Sequence, residues 1–336
     1  MVSVPRLYEK VYAGVLANVA SEPPLKQKIF NWALDNGRQA SQFRISGRQV
    51  PTWLNVKYGV ASKLVFSKVN EKLGGRLRFF FSGGAPLASE IAEFFNAMGV
   101  TILEGFGLTE TSPVLTVNRP DAMKFGSVGQ PLPGIEVRIA DDGEILARGP
   151  NIMMGYWNRP EETAEALEGG WFHTGDVGRI DDDGFLFITD RKKDLIVTAG
   201  GKNIAPQNIE NALKLDRFIE QAAVLGDRQK YVAALIVPAF EELEPWAADL
   251  GIDSGDRAAL VADERVNKMM KQRVDDALAD FDRHERVTKF VLLPEEMTEE
   301  SGLLTPTLKV KRKEVASRFA RQIEGMYSEQ SESAQV

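Results

Sequence analysis

The sequence predicts an α/β protein of two successive domains, and three observations carry that prediction. Strand and helix patterns alternate as far as about residue 115, a β-rich section with two hairpin signals follows, and after Asp190 the alternation begins afresh. A chain of 336 residues with 43% hydrophobic content can bury a core in each part. The boundaries expected are 1–190 for a large domain, 191–325 for a small α+β domain and 326–336 for a polar, disordered tail.

Taken in order, Leu, Val, Phe and Trp recur at helical spacing over 5–20, 25–44 and 53–73, predicting three helices with one buried face each. A basic and aromatic strand over 76–81 runs into Ser82-Gly83-Gly84-Ala85-Pro86, after which Leu87, Ile91, Phe94, Phe95 and Met98 mark a helix. A second strand, 101–103, delivers Glu104-Gly105-Phe106-Gly107-Leu108-Thr109-Glu110-Thr111. Strands 136–139 and 144–148 form a hairpin across Asp141-Asp142-Gly143, and a short helix covers 161–167. Strands 178–180 and 185–189 pair across Asp182-Asp183-Gly184. In the second domain, strand 195–198 leads to a helix over 206–215 that has proline in its first turn. Strands 219–225 and 231–237, helices 240–248 and 257–281, strand 289–293 and a helix over 311–324 complete it.

The chemistry concentrates in a few short runs. Thr174-Gly175-Asp176 lets the backbone turn tightly and leaves a carboxylate able to accept from both hydroxyls of a ribose. Arg191 offers a planar fork of donors to sugar oxygens or phosphate. Lys192, Lys193 and Asp194 make a charged junction, and Gly200-Gly201 allows close approach to the backbone. The glycine turn at 83–86 lets a flat base lie against backbone, although such turns between strand and helix also serve as plain connectors. Phe106 suits stacking on a base or simple packing. Thr109 can donate to a phosphate, and Glu110 can hold Mg2+, which prefers carboxylate oxygen and keeps its waters.

Composition narrows the classes. The net charge of −7 argues against a nucleic-acid binder. The absence of cysteine excludes disulfides, thiolate metal sites and a thioester on the protein itself. His173 and His284 make no zinc site without carboxylates. No run approaches the roughly 18 apolar residues of a membrane span, and Arg6 and Lys10 are followed by no secretory h-region. A cytoplasmic enzyme is the expectation, with peripheral membrane contact open to it if its substrate is fatty.

SGGAPL at 82–87, EGFGLTETSP at 104–113, GWFHTGDVG at 170–178 and DRKKDLIVTAGGKNIAP at 190–206 together resemble the acyl-adenylate-forming enzymes, closest in wording to bacterial long-chain fatty acid CoA ligases. The resemblance runs through nearly the whole chain. It implies the C-terminal part of the large adenylate-forming domain, α/β layers plus a β-rich subdomain, followed by a small mobile lid. It implies ATP, Mg2+, coenzyme A and a fatty acid as partners: the acid is activated to an acyl-AMP, and the acyl group passes to the thiol. Position by position it places Gly83, Gly84, Ala85 and Pro86 beside adenine with Glu104, Gly105 and Phe106 on the other face. It further places Thr109 at the α-phosphate, Glu110 at the metal, and Asp176 and Arg191 at the ribose. Lys193 stands at the hinge, Gly200 and Gly201 line the pantetheine path, and Lys309 matches the lysine that enters during adenylation.

One element of the pattern is absent. A Ser/Thr/Gly-rich run ending in Pro-Lys should precede the first motif, and neither it nor a G-x-x-x-x-G-K-[ST] run occurs. The chain is therefore expected to be the C-terminal portion of a longer ligase, to adenylate poorly alone, and to need the missing N-terminal half as a partner. Two alternatives remain: another adenylating enzyme, such as a fatty acyl-AMP or shorter-chain ligase, or a nucleotide-binding remnant without catalysis.

Overall fold

A computed structural model describes residues 1–305 and 308–328, which fall into two compact units divided between Thr189 and Asp190. In the first, helices Pro5–Ala20 and Pro24–Ile45 each begin on a proline, whose missing N–H costs nothing at a helix start. Helix Thr52–Ala61 continues through a π turn at Ser62–Phe66 into Ser67–Lys72. These helices pack beside a five-stranded sheet. Val2–Ser3, Phe79–Ser82 and Thr101–Phe106 run parallel, and Thr116–Val117 and Gln130–Pro131 continue it antiparallel. Helix Ser89–Ala97 seals the layer through Ile91, Phe94 and Phe95, and Tyr12 meets the Phe94 ring edge-on at 4.8 Å. Gly37 permits this closeness, for a Cβ there would stand 2.4 Å from the Ala97 carbonyl oxygen.

A four-stranded sheet of Glu136–Ile139, Glu144–Arg148, Phe172–Ile180 and Leu186–Arg191 supplies the β-rich part. Its Ile145, Ala147 and Leu186 share one core with Phe106, Leu115 and Val128 of the first sheet and its loops. The third strand starts six residues before the position expected. Its inward residues Phe172, Thr174 and Asp176 alternate as a strand should, but two are polar and so hide the apolar signal. The strand expected from residue 76 begins only at Phe79, because Gly74 and Gly75 hold positive φ and a loop precedes it.

The second unit is built on Val232–Pro238, buried along its whole length, antiparallel to Ile219–Leu225 and parallel to Val287–Leu292. Helices Pro206–Leu213, Phe240–Asp249, Glu264–Ala277 and Arg312–Arg318 bury Leu213, Leu243, Met270 and Val315 in its core. The single helix expected over 257–281 is two, Arg257–Ala262 and Glu264–Ala277. Asp263 takes extended backbone between them, and its carboxylate accepts from the Arg265 amide. That over 311–324 likewise breaks at Phe319. Residues 326–328, assigned to the tail, close helix Ala320–Ser328 with Met326 buried, and the remainder of that tail lies outside the described residues. Strand Asn203–Ile204, which pairs with Ile196–Val197, is too short to show alternation in sequence. Among the described residues no helix is long and apolar enough to cross a membrane.

Candidate functional site

Phe79–Ser82 and Thr101–Phe106 are parallel neighbours, so the loops that follow them leave the same end of the sheet. Open parallel sheets gather ligands at that end. Gly84 takes φ +83°, and a Cβ on Gly83 would come within 3.8 Å of the Gly105 carbonyl oxygen, so the two glycine segments lie backbone to backbone. Glu104 joins the loops: its Oε2 accepts from the Leu87 amide at 3.4 Å. Only 7% exposed, its carboxyl is pushed up to about 8 by burial, against which the one amide works weakly. Ser82 stands in register beside it with a buried Oγ that meets no hydrogen-bond partner.

Of the two roles open to Phe106, packing is the one seen, with its ring inside the shared core. What this residue offers a ligand is backbone. Gly107 then passes hard against Pro113 and Val114. The turn Thr109–Thr111 exposes Thr109 and half-buries Glu110. Thr111 Oγ1 accepts from the Leu108 amide, the Tyr156 hydroxyl donates to Glu110 Oε1 at 3.0 Å, and the Met153 amide donates to the Glu110 carbonyl. One partly exposed, oriented carboxylate fits Mg2+, which retains waters and takes its other ligands from phosphates. Among the described residues no three His, Asp or Glu side chains gather as a metal cluster.

Asp176, expected in a tight turn, sits instead in a long strand at an irregularity. Leu146 pairs with His173 and Glu144 with Val177, leaving residues 174–176 as a bulge with Gly175 at φ +69°. Thr174 Oγ1 donates to the Ile145 carbonyl at 2.7 Å and accepts from the Asp176 amide at 3.1 Å. Glu144, buried in the facing strand, accepts from the Gly175 amide at 2.9 Å and lies 3.2 Å from His173 Nδ1. The bulge is thus held from both sides, and Asp176 is 6% exposed. Sequence reasoning missed Glu144, Asn151 and Tyr156. Asn151 Nδ2 donates to the Thr111 and Val114 carbonyls. A lone acid opening a strand whose next three residues, Ile145, Leu146 and Ala147, are apolar was the available signal for Glu144.

In the second unit, Arg191 ends its strand and its carbonyl accepts from the Asp194 and Leu195 amides, turning the chain with Lys193 exposed. Gly200 and Gly201 tip the hairpin between Ile196–Val197 and Asn203–Ile204, with Gly201 at φ +73°. Lys309 lies half-buried in a tight segment. Its carbonyl accepts from the Thr305 amide, and its own amide donates to Thr305 Oγ1 at 3.0 Å.

Residues 1–157 match the family described as AMP-binding enzyme, and residues 193–331 match the AMP-binding enzyme C-terminal domain. A Mycobacterium bovis protein named long-chain-fatty-acid–CoA ligase FadD15 is 42% identical over 98% of this chain. An Arabidopsis thaliana protein named long chain acyl-CoA synthetase 7, peroxisomal, is 38% identical over 97% of it. The chain covers 55% of the first relative and 48% of the second, about half their length. Among solved structures, the adenylation domain of a carboxylate reductase from Mycobacterium chelonae aligns with a TM-score of 0.71 at 23% identity, covering 97% of this chain and 46% of that one. An adenylation–carrier didomain of the Segniliparus rugosus carboxylic acid reductase, solved with AMP, aligns at 0.67 and 22%, covering 99% and 42%.

Proposed function

The chain belongs to the AMP-binding family of acyl-adenylate-forming enzymes, and on that premise we propose that it serves the ATP-dependent conversion of a long-chain fatty acid to its coenzyme A thioester. The observation that carries this reading is the pair of glycine loops leaving one end of two parallel strands, joined by buried Glu104 and sharing a core with the sheet that presents Asp176. The relatives' names, long-chain-fatty-acid–CoA ligase and long chain acyl-CoA synthetase, support the substrate class.

In this reading Gly83, Gly84, Ala85 and Pro86 bound adenine on one face and the Glu104–Phe106 backbone on the other. Asp176 and Arg191 take the ribose hydroxyls, and Thr109 donates to the α-phosphate. Glu110 holds Mg2+, which when bound offsets phosphate charge. A fatty carboxylate oxygen attacks the α-phosphorus and pyrophosphate leaves. Two anions are thereby brought together, so a cation must stand where charge grows. Lys309 is that cation. At about 4 Å and an effective dielectric of about 20 it gains roughly 4 kcal/mol before desolvation. Lys309→Ala is therefore expected to slow acyl-AMP formation by about 10³-fold. Transfer from supplied acyl-AMP to coenzyme A should be nearly unchanged, and equal losses in both steps would remove Lys309 from this role. In the second step the thiol attacks the acyl carbonyl and AMP leaves, with Lys193 as the pivot and Gly200 and Gly201 beside the pantetheine arm.

A chain without the phosphate-gripping loop should bind AMP yet adenylate little. Leu25, Ile29 and Trp32 on one helix, and Trp53, Val56, Val60 and Leu64 on the next, form an exposed apolar stripe at helical spacing. We assign this stripe to a segment of the kind that carries the phosphate-gripping loop in the relatives. Mixing the chain with such a segment from a relative should restore pyrophosphate exchange with palmitate, and Val56→Glu with Leu64→Glu should block restoration while leaving AMP binding intact. AMP binding without turnover in every mixture would favour a non-catalytic remnant. Asp176→Asn should weaken AMP binding by about 10-fold or more, since hydrogen bonds to a charged acceptor are worth about 1.5–3 kcal/mol. Deoxyribose analogues should lose that sensitivity.

A further inference from the structure

The second unit brings together two buried acids and a largely buried arginine. Asp190, 1% exposed, opens the unit; its Oδ1 accepts from the Arg191 amide at 2.6 Å and its Oδ2 from the Gln207 amide at 3.2 Å. Glu210 lies on helix Pro206–Leu213, and its Oε1 accepts from the Val224 amide at 2.8 Å. Arg312 Nη2 stands 2.9 Å from that same oxygen. The contact is an ion pair rather than an aligned hydrogen bond, because Arg312 Nε and Nη2, both buried, meet no acceptor in bonding geometry. The guanidinium also attracts Asp190, while Lys214 and Asp194 act on the two acids from the margin.

Such a cluster is a poor device for stability alone. Desolvating three charges costs several kcal/mol each, and well-packed apolar residues commonly do as well. What it supplies is a fixed place. Arg312 begins its helix directly after the segment that carries Lys309, where the Lys311 amide donates to the Leu303 carbonyl at 2.8 Å and Leu304 bridges Val310. The partner of Arg312, Glu210, shares helix Pro206–Leu213 with Gln207, whose amide donates to Asp190, the residue before Arg191 and three before the hinge position Lys193.

We propose that Arg312 is a positioning residue that ties the Lys309 segment to Glu210, and through helix Pro206–Leu213 to Asp190, so that the lysine and the hinge end of the unit move as one piece. The inference rests on the reading of Lys309 as the adenylation lysine. A lysine at 312 would keep the charge but lack the rigid planar guanidinium that reaches Glu210.

The test is amide hydrogen exchange on the whole chain with Arg312→Met, Arg312→Lys and Glu210→Gln. In Arg312→Met, exchange at the Thr305, Lys309 and Lys311 amides is expected to rise about 100-fold while strands Ile219–Leu225 and Val232–Pro238 change by less than about threefold. Arg312→Lys, which keeps a cation in place should the methionine variant fail to fold, is expected to raise exchange about 10-fold at the same three amides. In the chain completed with a phosphate-loop segment, Arg312→Lys should lower kcat for adenylation with KM for ATP unchanged. A rise spread evenly over the unit, or none at those three amides, overturns the proposal. A completed wild-type chain that never adenylates would instead defeat the functional reading while the exchange result still decides the tether.

Discussion

Gly107→Ala is expected to cost the first unit at least about 3 kcal/mol and to abolish AMP binding while the second unit stays folded. A methyl group at this position would stand 1.8 Å from the Pro113 carbonyl oxygen, 2.7 Å from its carbon and 2.8 Å from Val114 Cα. All three are backbone atoms, so no rotamer change relieves the overlap. Nor is that backbone free to retreat. Thr111 Oγ1 contacts the Pro113 carbonyl at 3.0 Å, Asn151 holds the Val114 carbonyl, and the Leu115 amide donates to the Phe106 carbonyl at 2.8 Å. The displaced atoms would be those that seat Thr109 and Glu110. Gly84→Ala makes the control, because φ is +83° there but nothing lies within 4 Å. Its expected cost is the left-handed backbone alone, about 1–2 kcal/mol. Urea denaturation and calorimetric titration with AMP measure both, and equal costs at the two positions would show that the crossing at residue 107 yields.

That contrast marks the limit of what could be read before the structure. Both residues are glycines in a motif, and nothing in their spelling tells a crossing of two chains from an open turn. The helices over 5–20 and 25–44 were legible because apolar spacing and leading prolines agree at each. So were hairpin strands Glu136–Ile139 and Glu144–Arg148. Interior polar groups defeated the pattern: Thr174 and Asp176 disguised six residues of strand, and Asp263 split a helix whose apolar period runs straight through it. The motifs pointed to Asp176 but not to Glu144, since the partner that fixes the bulge lies on another strand about 30 residues away, beyond any local window. Arg312 was legible only as one of several basic residues, and burial alone sets it apart.

Glu104 gives the other large effect, a fall in the stability of the first unit with rising pH. Its folded carboxyl titrates near 8 against an ordinary 4.5, because burial penalises the charged form more than the Leu87 amide favours it. Between those values the folded chain binds the proton that the unfolded chain has released, so stability falls as pH rises. The contribution is fully present below pH 4.5 and is lost as pH climbs through about 8. At about 1.4 kcal/mol per pH unit, the loss amounts to at most about 5 kcal/mol. Glu104→Gln keeps an acceptor for the Leu87 amide without the proton, and should match wild type at about pH 5 and exceed it at about pH 8.5 by several kcal/mol. Trp246 is the one tryptophan of the second unit, so fluorescence in a Trp246→Phe background follows the first unit alone. Glu93, also raised by burial, supplies a slope common to both proteins. Parallel stability curves for the two would mean that Glu104 is solvated or paired in the folded state. The same proton bears on the ligand: a neutral carboxyl leaves the glycine loops without a negative charge to oppose an incoming nucleotide. AMP affinity should therefore decline above about pH 8 in wild type and much less in Glu104→Gln.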